Sequence, residues 1–312
     1  MIGPIFVVIV ALLVAIWLLS RRPRLFQWRT INVNGRQRRY LLRSSDEDSR
    51  PKPLLLCFHG GFARVEAMAQ TSGAAEGGER RGWMVVFPEA RDGWVDSRPE
   101  RGGSTRDIDF VEALVGSLAR KNQIDPSRVF AFGISNGGLF LFRLASERAK
   151  HFAGFATALA NMPVAALPTV SGPPVPIAMI FGRQDRVMPW GGGSIARGQR
   201  TGVGGEVVSA DATRRYWLKR NAARQIPRIQ RRASAGHEIE IEDYAAGPDG
   251  APVRFVSIDD WGHRWPSLAG ELSGPDNFNA ADLFMEFFSG LNQAGTDAPI
   301  FPSVAGQHDA SA

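Results

Sequence analysis

Residues 128–138 read RVFAFGISNGG, an apolar run that breaks into a serine held between glycines. With 34 glycines in the chain, a G-x-S-x-G match says little by itself. Its setting says more. The run before Ser135 is strand-like and the pattern after it is helical, which is the strand–turn–helix corner of a nucleophile elbow. Such a corner crowds its flanks, so Gly133 and Gly137 acquire a physical purpose, and it presents the serine Oγ at the C-terminal edge of a sheet beside helix N-terminal amides.

Outward from this corner, strand-like runs alternate with helical patterns. The runs are PLLLCFH (53–59), WMVVFPE (83–89), FAGFATALA (152–160), PIAMIFGR (176–183) and VRFVSIDD (253–260). Helices are expected near 64–73, 105–122, 136–148 and 279–291. That alternation predicts an α/β fold with a mostly parallel central sheet and helices on both faces. The helix near 105–122 carries Ile108, Val111, Leu114, Val115 and Leu118 at helical spacing, with Thr105 as its expected cap. Ahead of the first core strand, QWRTINVNGRQRRYLLR (27–43) predicts a β-hairpin turning at Asn34-Gly35, since both residues tolerate positive φ.

Composition bounds the remaining choices. The 312 residues, 44% hydrophobic, suit one large domain, here placed at 53–292. The lone Cys57 excludes an intrachain disulfide and sits in an apolar run, where it reads as a small buried hydrophobe. The net charge of +6 is local, because residues 21–43 hold eight arginines and no acid. Residues 212–236 hold eight basic residues and no acid, but Tyr216, Trp217 and Leu218 lie among them, so a helix with a solvated basic face is preferred and no nucleic-acid partner is expected. Residues 1–20, MIGPIFVVIVALLVAIWLLS, contain no charge and would span a hydrocarbon core of about 30 Å. A membrane anchor is expected at 2–20, followed by a basic juxtamembrane segment and hairpin at 21–52. With no basic residue before the run and no small-x-small site after it, retention is favoured over cleavage. The arginine-rich flank places the domain on the cytoplasmic side, with export as the alternative. The tail from 293 lacks periodicity and is expected to be disordered, and the Gly-rich stretch 191–206 is expected to be a loop near the site.

A serine nucleophile needs a base and an orienting acid after it in the chain. His263, in SIDDWGHRWP, follows a late strand; His59, His151, His237 and His308 are each more easily structural or surface residues. Asp185, in IFGRQDRVMPW, follows its own strand, whereas Asp211 starts a helix and Asp259 and Asp260 lie too near His263. The glycine loop after PLLLCFH supplies backbone donors for an oxyanion, expected from Gly61 or Phe62 and from Asn136. Trp94, Trp190, Trp261 and Trp265 fall on loops near strand ends and are candidates for a substrate pocket. The chemistry requires no metal or cofactor.

LCFHGG (56–61), VVFPEA (85–90) with Trp94 beyond it, RDIDFVEALVGSLARKNQIDPSRVFAFGISNGG (106–138), IFGRQDRVMPW (180–190), GHRWP (262–266) and FMEFF (284–288) together resemble the polyhydroxybutyrate depolymerase and feruloyl esterase group of α/β-hydrolases. The resemblance covers about residues 53–290. It implies a serine esterase with Ser135 as nucleophile, Asp185 as acid, His263 as base and an oxyanion loop at 59–61. The secreted depolymerases of that group usually carry a cleavable signal, often disulfides, and polymer-binding domains; none is evident, so a soluble or membrane-derived ester is the expected substrate. The alternatives are a serine peptidase or amidase on the same fold and a catalytically idle, membrane-tethered binding protein.

Overall fold

The computed structural model describes residues 26–43, 50–121, 123–167, 172–196, 204–234, 236–268 and 278–291. The expected anchor at 2–20 and the tail from 293 lie outside these residues. Among the described residues no helix is long and apolar enough to cross a membrane.

The strands, in chain order, are β1 (Phe26–Val33), β2 (Arg36–Arg43), β3 (Lys52–Phe58), β4 (Met84–Pro88), β5 (Ile124–Ile134), β6 (Gly154–Ala158), β7 (Ile177–Gly182), β8 (Gly193–Ser194), β9 (Glu206–Val207), β10 (Arg228–Ser234), β11 (His237–Tyr244), β12 (Val253–Ile258), β13 (Ser267–Leu268) and β14 (Phe278–Asn279). Ten of them form one sheet in the order β1, β2, β4, β3, β5, β6, β7, β12, β11, β10. The middle of that sheet, from β4 to β12, is parallel, and antiparallel pairs finish both edges. The β1–β2 hairpin turns at Asn34 (φ 50°) and Gly35 (φ 76°), the paired positive angles of a type I′ turn.

The longer helices are α1 (Val65–Thr71), α2 (Ala74–Arg81), α3 (Arg106–Arg120), α4 (Asn136–Glu147), α5 (Ala210–Arg220) and α6 (Ala280–Leu291). They divide between the faces of the sheet as the strand alternation requires. In β3, Leu54, Leu56 and Phe58 enter the core shared with α3, α4 and α5, while Leu55 and Cys57 enter the core shared with α1, α2 and α6. The stripe of α3 is buried as expected, from Ile108 to Leu118. Each such side chain contributes roughly 1.5–3 kcal/mol. Burial pushes the Cys57 thiol well above its ordinary value, so it behaves as the small hydrophobe its run suggests.

Several local expectations are corrected. Thr105 does not cap α3 through its side chain: its hydroxyl turns to Asp109, and Ser104 Oγ accepts the Arg106 N–H at 3.2 Å. The basic stretch 212–236 is not one helix. After α5 it becomes the edge strand β10, aligned by pairing with β11, which leaves Arg228, Arg231 and Arg232 exposed. Helix α2 was not anticipated because Gly77 and Gly78 interrupt AAEGGERR and it carries no large apolar residue to mark a buried face. Its glycines permit close packing: a Cβ on Gly77 would fall 2.2 Å from Met285 Cε, and one on Gly78 2.2 Å from Val85 Cγ2.

Candidate active site

Because β3, β5, β7 and β12 run in one direction, the loops after them meet at one edge of the sheet. Each expected site residue sits on one of these loops or at the helix start beside them, except Trp94, which lies on the loop after the neighbouring parallel strand β4.

Ser135 directly follows β5, with φ 55° and ψ −122°, a conformation that L-residues avoid. The glycines around it allow this turn. A Cβ on Gly133 would lie 2.6 Å from the Gly137 carbonyl carbon, and one on Gly137 would lie 2.4 Å from Phe58 O and 2.6 Å from His59 O. The Ser135 N–H bonds Ala158 O at 3.0 Å and its carbonyl accepts the Leu139 N–H at 2.9 Å, so the corner is tied to both β6 and α4.

Asp185 lies in the loop after β7, its carboxylate almost fully buried. Oδ1 accepts the Val187 and Met188 amides, each at 2.8 Å, and Oδ2 lies 2.7 Å from His263 Nδ1. The other imidazole nitrogen, Nε2, is 2.9 Å from Ser135 Oγ. A carboxylate only accepts, so Nδ1 carries the proton and Nε2 is left to accept from the serine hydroxyl. The structure therefore brings the three expected residues into one continuous chain of hydrogen bonds.

The His263 loop reaches Asp185 because Gly182 lets it. A Cβ on Gly182 would sit 2.3 Å from Trp261 O, the same carbonyl that accepts the Gln184 N–H at 3.1 Å. Trp261 is buried, donates from Nε1 to Arg264 O at 2.9 Å and lies under the Arg264 guanidinium. It closes the histidine's turn instead of lining a pocket.

At the end of β3, Gly60 and Gly61 lie against the elbow: a Cβ on Gly60 would meet Ser135 Cβ at 3.5 Å, and one on Gly61 would meet Asn136 Cβ at 3.4 Å. Phe62 follows with φ 60° and an exposed ring. Asn136 opens α4, where the first amides have no partner within the helix. His59 is structural, as expected. Its Nδ1 donates to Gly60 O at 2.8 Å, and Nε2 accepts the Ala90 N–H at 3.1 Å. Burial holds its pKa below the ordinary histidine value, which keeps it neutral and able to accept.

Trp94 is also corrected. It is fully buried, stacks on Phe140, packs edge-on against Phe58 and donates from Nε1 to His59 O at 3.0 Å. Both Trp94 and Trp261 are thus supports of site loops. Trp190 is half-buried between the edges of Phe181 and Phe255, with the Arg183 guanidinium 4.4 Å from its ring centroid. Trp265, two residues past His263, is half-buried beside Phe132, and its indole N–H has no hydrogen-bond partner among the described residues. These two rings remain the pocket candidates.

The other histidines and acids stay outside this chain. His151 lies 3.1 Å from Glu112 in a short turn after α4, His237 sets its ring edge-on to Trp261, and His308 lies outside the described residues. Asp211 pairs with Arg214, Asp259 with Arg183, and Asp260 accepts from Gln184. The Gly-rich stretch does lie beside the acid loop, with the Ala196 N–H bonded to Val187 O at 3.2 Å; residues 197–203 lie outside the described residues. A cleft of about 570 Å³ opens elsewhere, between the hairpin turn, residues 89–93 and residues 104–109, and its walls do not include Ser135 or His263.

Sequence reasoning missed Asp96 and Arg98. They are buried on the loop after β4 and contact the Asn136 side chain and the Gly-rich stretch. In VDSRPERGG they read as ordinary loop charges, with no signal of burial.

No family model matches the chain. It is 29% identical over 255 residues to a putative esterase, NocK, of Nocardia uniformis subsp. tsuyamanensis, covering 76% of this chain and 73% of that protein. It is 27% identical over 135 residues to feruloyl esterase D of Neurospora crassa, covering 39% of this chain and 44% of that protein. Among solved structures, an acetyl xylan esterase from Aspergillus awamori superposes with a TM-score of 0.57 at 14% identity, covering 84% of this chain and 99% of its own.

Proposed function

We propose that this chain, a carboxylic ester hydrolase of the feruloyl esterase-like α/β-hydrolase group, works through Ser135, His263 and Asp185 and an acyl-enzyme intermediate. The unbroken run from Ser135 Oγ through the His263 ring to Asp185 carries this reading. Ser135 attacks the ester carbonyl as Nε2 takes its proton; His263 then gives that proton to the departing alcohol, and water, activated by the same nitrogen, releases the acid. Asp185, held by two amides of its own loop, fixes the ring and its tautomer. The oxyanion forms against the amides of Gly61 or Phe62 and of Asn136, where one donor is typically worth about 10²–10³ in kcat.

The substrate class we assign is the ester of a short or aromatic acid, in line with the names of the relatives, with Trp190 and Trp265 as the aromatic walls. Polyhydroxybutyrate is the finer alternative within the same group. We further assign residues 2–20 as a membrane anchor with the domain on the cytoplasmic side, on the strength of the uncharged run and its arginine-rich flank. Membrane fractionation with N-terminal sequencing checks that assignment, and a mature chain starting after residue 21 sinks it.

Purified protein should label with a fluorophosphonate probe and hydrolyse short p-nitrophenyl esters, and Ser135→Ala should abolish both. A folded wild type that fails to label refutes the triad reading. Faster cleavage of a matched anilide than of the ester would move the function to an amidase.

A further inference from the structure

The loop after β4 carries a buried ion pair that touches the start of α4. Asp96 and Arg98 are 1% and 4% exposed. Asp96 Oδ1 accepts the Arg98 N–H and Nε–H, both at 2.9 Å, and Oδ2 accepts from Arg98 Nη2 at 2.7 Å. The same Oδ2 accepts from Asn136 Nδ2 at 2.8 Å. Asn136 Nδ2 also donates to Trp94 O at 3.1 Å, and Asn136 Oδ1 accepts the Trp94 N–H at 2.7 Å. With both donors and its oxygen engaged, the side-chain amide of Asn136 has one orientation.

The far side of the pair faces the acid's loop. Arg98 Nη1 donates to Gly204 O at 2.5 Å, and Gly205, at φ 107°, has its Cα pressed against the arginine stem, where a Cβ would meet Cδ at 2.8 Å. Gly205 O accepts the Ile195 N–H at 3.1 Å, and the Ala196 N–H bonds Val187 O, the residue whose own amide bonds Asp185 Oδ1. The ion pair therefore lies between the segment that starts at the nucleophile and the segment that holds the acid.

We infer that Asp96 and Arg98 are positioning residues for ester hydrolysis: Asp96 locks the Asn136 side chain so that its backbone N–H faces the oxyanion, and Arg98 ties that lock to the loop beside Asp185. The inference rests on the triad reading above. A buried ion pair is a poor way to gain stability, because desolvating two charges offsets their attraction. Its place at the junction of three site loops gives it a different purpose. A misplacement of about 1 Å in a reacting geometry costs roughly 100-fold, so a lock on one amide acts on kcat and little on KM.

The test compares Asp96→Asn with Asp96→Asn/Arg98→Met on a short p-nitrophenyl ester. Asp96→Asn should lower kcat by roughly 10- to 100-fold, with KM within about twofold and the pH profile of kcat/KM unshifted. The double variant removes the stranded cation and should recover thermal stability without recovering kcat. Recovery of kcat together with stability shows a purely structural pair and overturns the inference, as does an Asp96→Asn enzyme with full kcat. If Asp96→Asn does not fold, Asn136→Ala deletes the locked amide while leaving Asp96 paired with Arg98. It should show the same loss of kcat, and its full activity overturns the inference. A wild type inert to fluorophosphonate would refute the triad itself, a result separate from any of these.

Discussion

Replacing Gly137 by alanine adds one carbon at the tightest point of the elbow. That carbon would stand 2.4 Å from Phe58 O and 2.6 Å from His59 O, and both neighbours are backbone, so no side chain can swing away. Ordinary contact begins near 3.4 Å, so the end of β3 and the start of α4 must part by about 1 Å. Overpacking of this kind costs about 1–3 kcal/mol, which in a domain of this size lowers Tm by roughly 2–4 °C per kcal/mol. The larger effect falls on catalysis. The moved backbone is the one that sets Gly61 and Phe62 against Ser135, and a displacement of about 1 Å at a reacting centre costs roughly 100-fold in rate. Steady-state kinetics on p-nitrophenyl acetate and a thermal melt measure the two effects. Gly116→Ala in α3 is the control, because its Cβ would meet only Arg120 Nη1 at 3.3 Å. Gly137→Ala with wild-type kcat and Tm would refute this account of the elbow.

Asp185→Asn should reduce kcat by about 10⁴ while circular dichroism stays unchanged, because the amide favours the wrong imidazole tautomer; a loss under tenfold would remove Asp185 from its role. Trp94→Phe keeps a ring against Phe140 but deletes the donor to His59 O, so stability and kcat should fall while preference among acyl chain lengths stays fixed. A shifted chain-length profile would return Trp94 to the pocket. Burial, reinforced by the Glu242 carboxylate, holds the Tyr244 phenol to about 12, whereas in the unfolded chain it ionises near 10. Its contribution is full below pH 10 and is lost as pH rises from 10 to 12. Urea unfolding between pH 9 and 11.5 should show a slope that Tyr244→Phe flattens, and an unchanged slope would contradict it.

The elbow, the parallel core and the meeting of Ser135, His263 and Asp185 were legible because each is written locally. Glycines at 133 and 137 flank a serine between a strand run and a helix run, and Asp185 and His263 each follow their own strand. Orientation was not written in the same way. Trp94 and Trp261 occupy loops at strand ends, and a loop tryptophan reads alike whether its ring faces a pocket or the core. Only Phe58 and Phe140 around one, and the Arg264 turn around the other, decide it. β10 was hidden because RIQRRAS has no apolar alternation, and its extended state comes from the ladder with β11. Helix α2 was hidden for the opposite reason, since the glycines that weaken its propensity are what let it approach Met285 and Val85.

The positive φ at Ser135 also bears on the folding of the chain. An L-residue in the left-handed half of the map costs of order 1–3 kcal/mol, and ψ −122° takes Ser135 outside even the small left-handed basin where such residues are tolerated. Glycine would relieve that strain at once. Ser135→Gly should therefore make a dead protein that melts higher than Ser135→Ala, which loses the same hydroxyl and keeps the strain. Under the proposed mechanism, selection for stability alone would erase the nucleophile, and the serine stands as a local trade of robustness for reactivity.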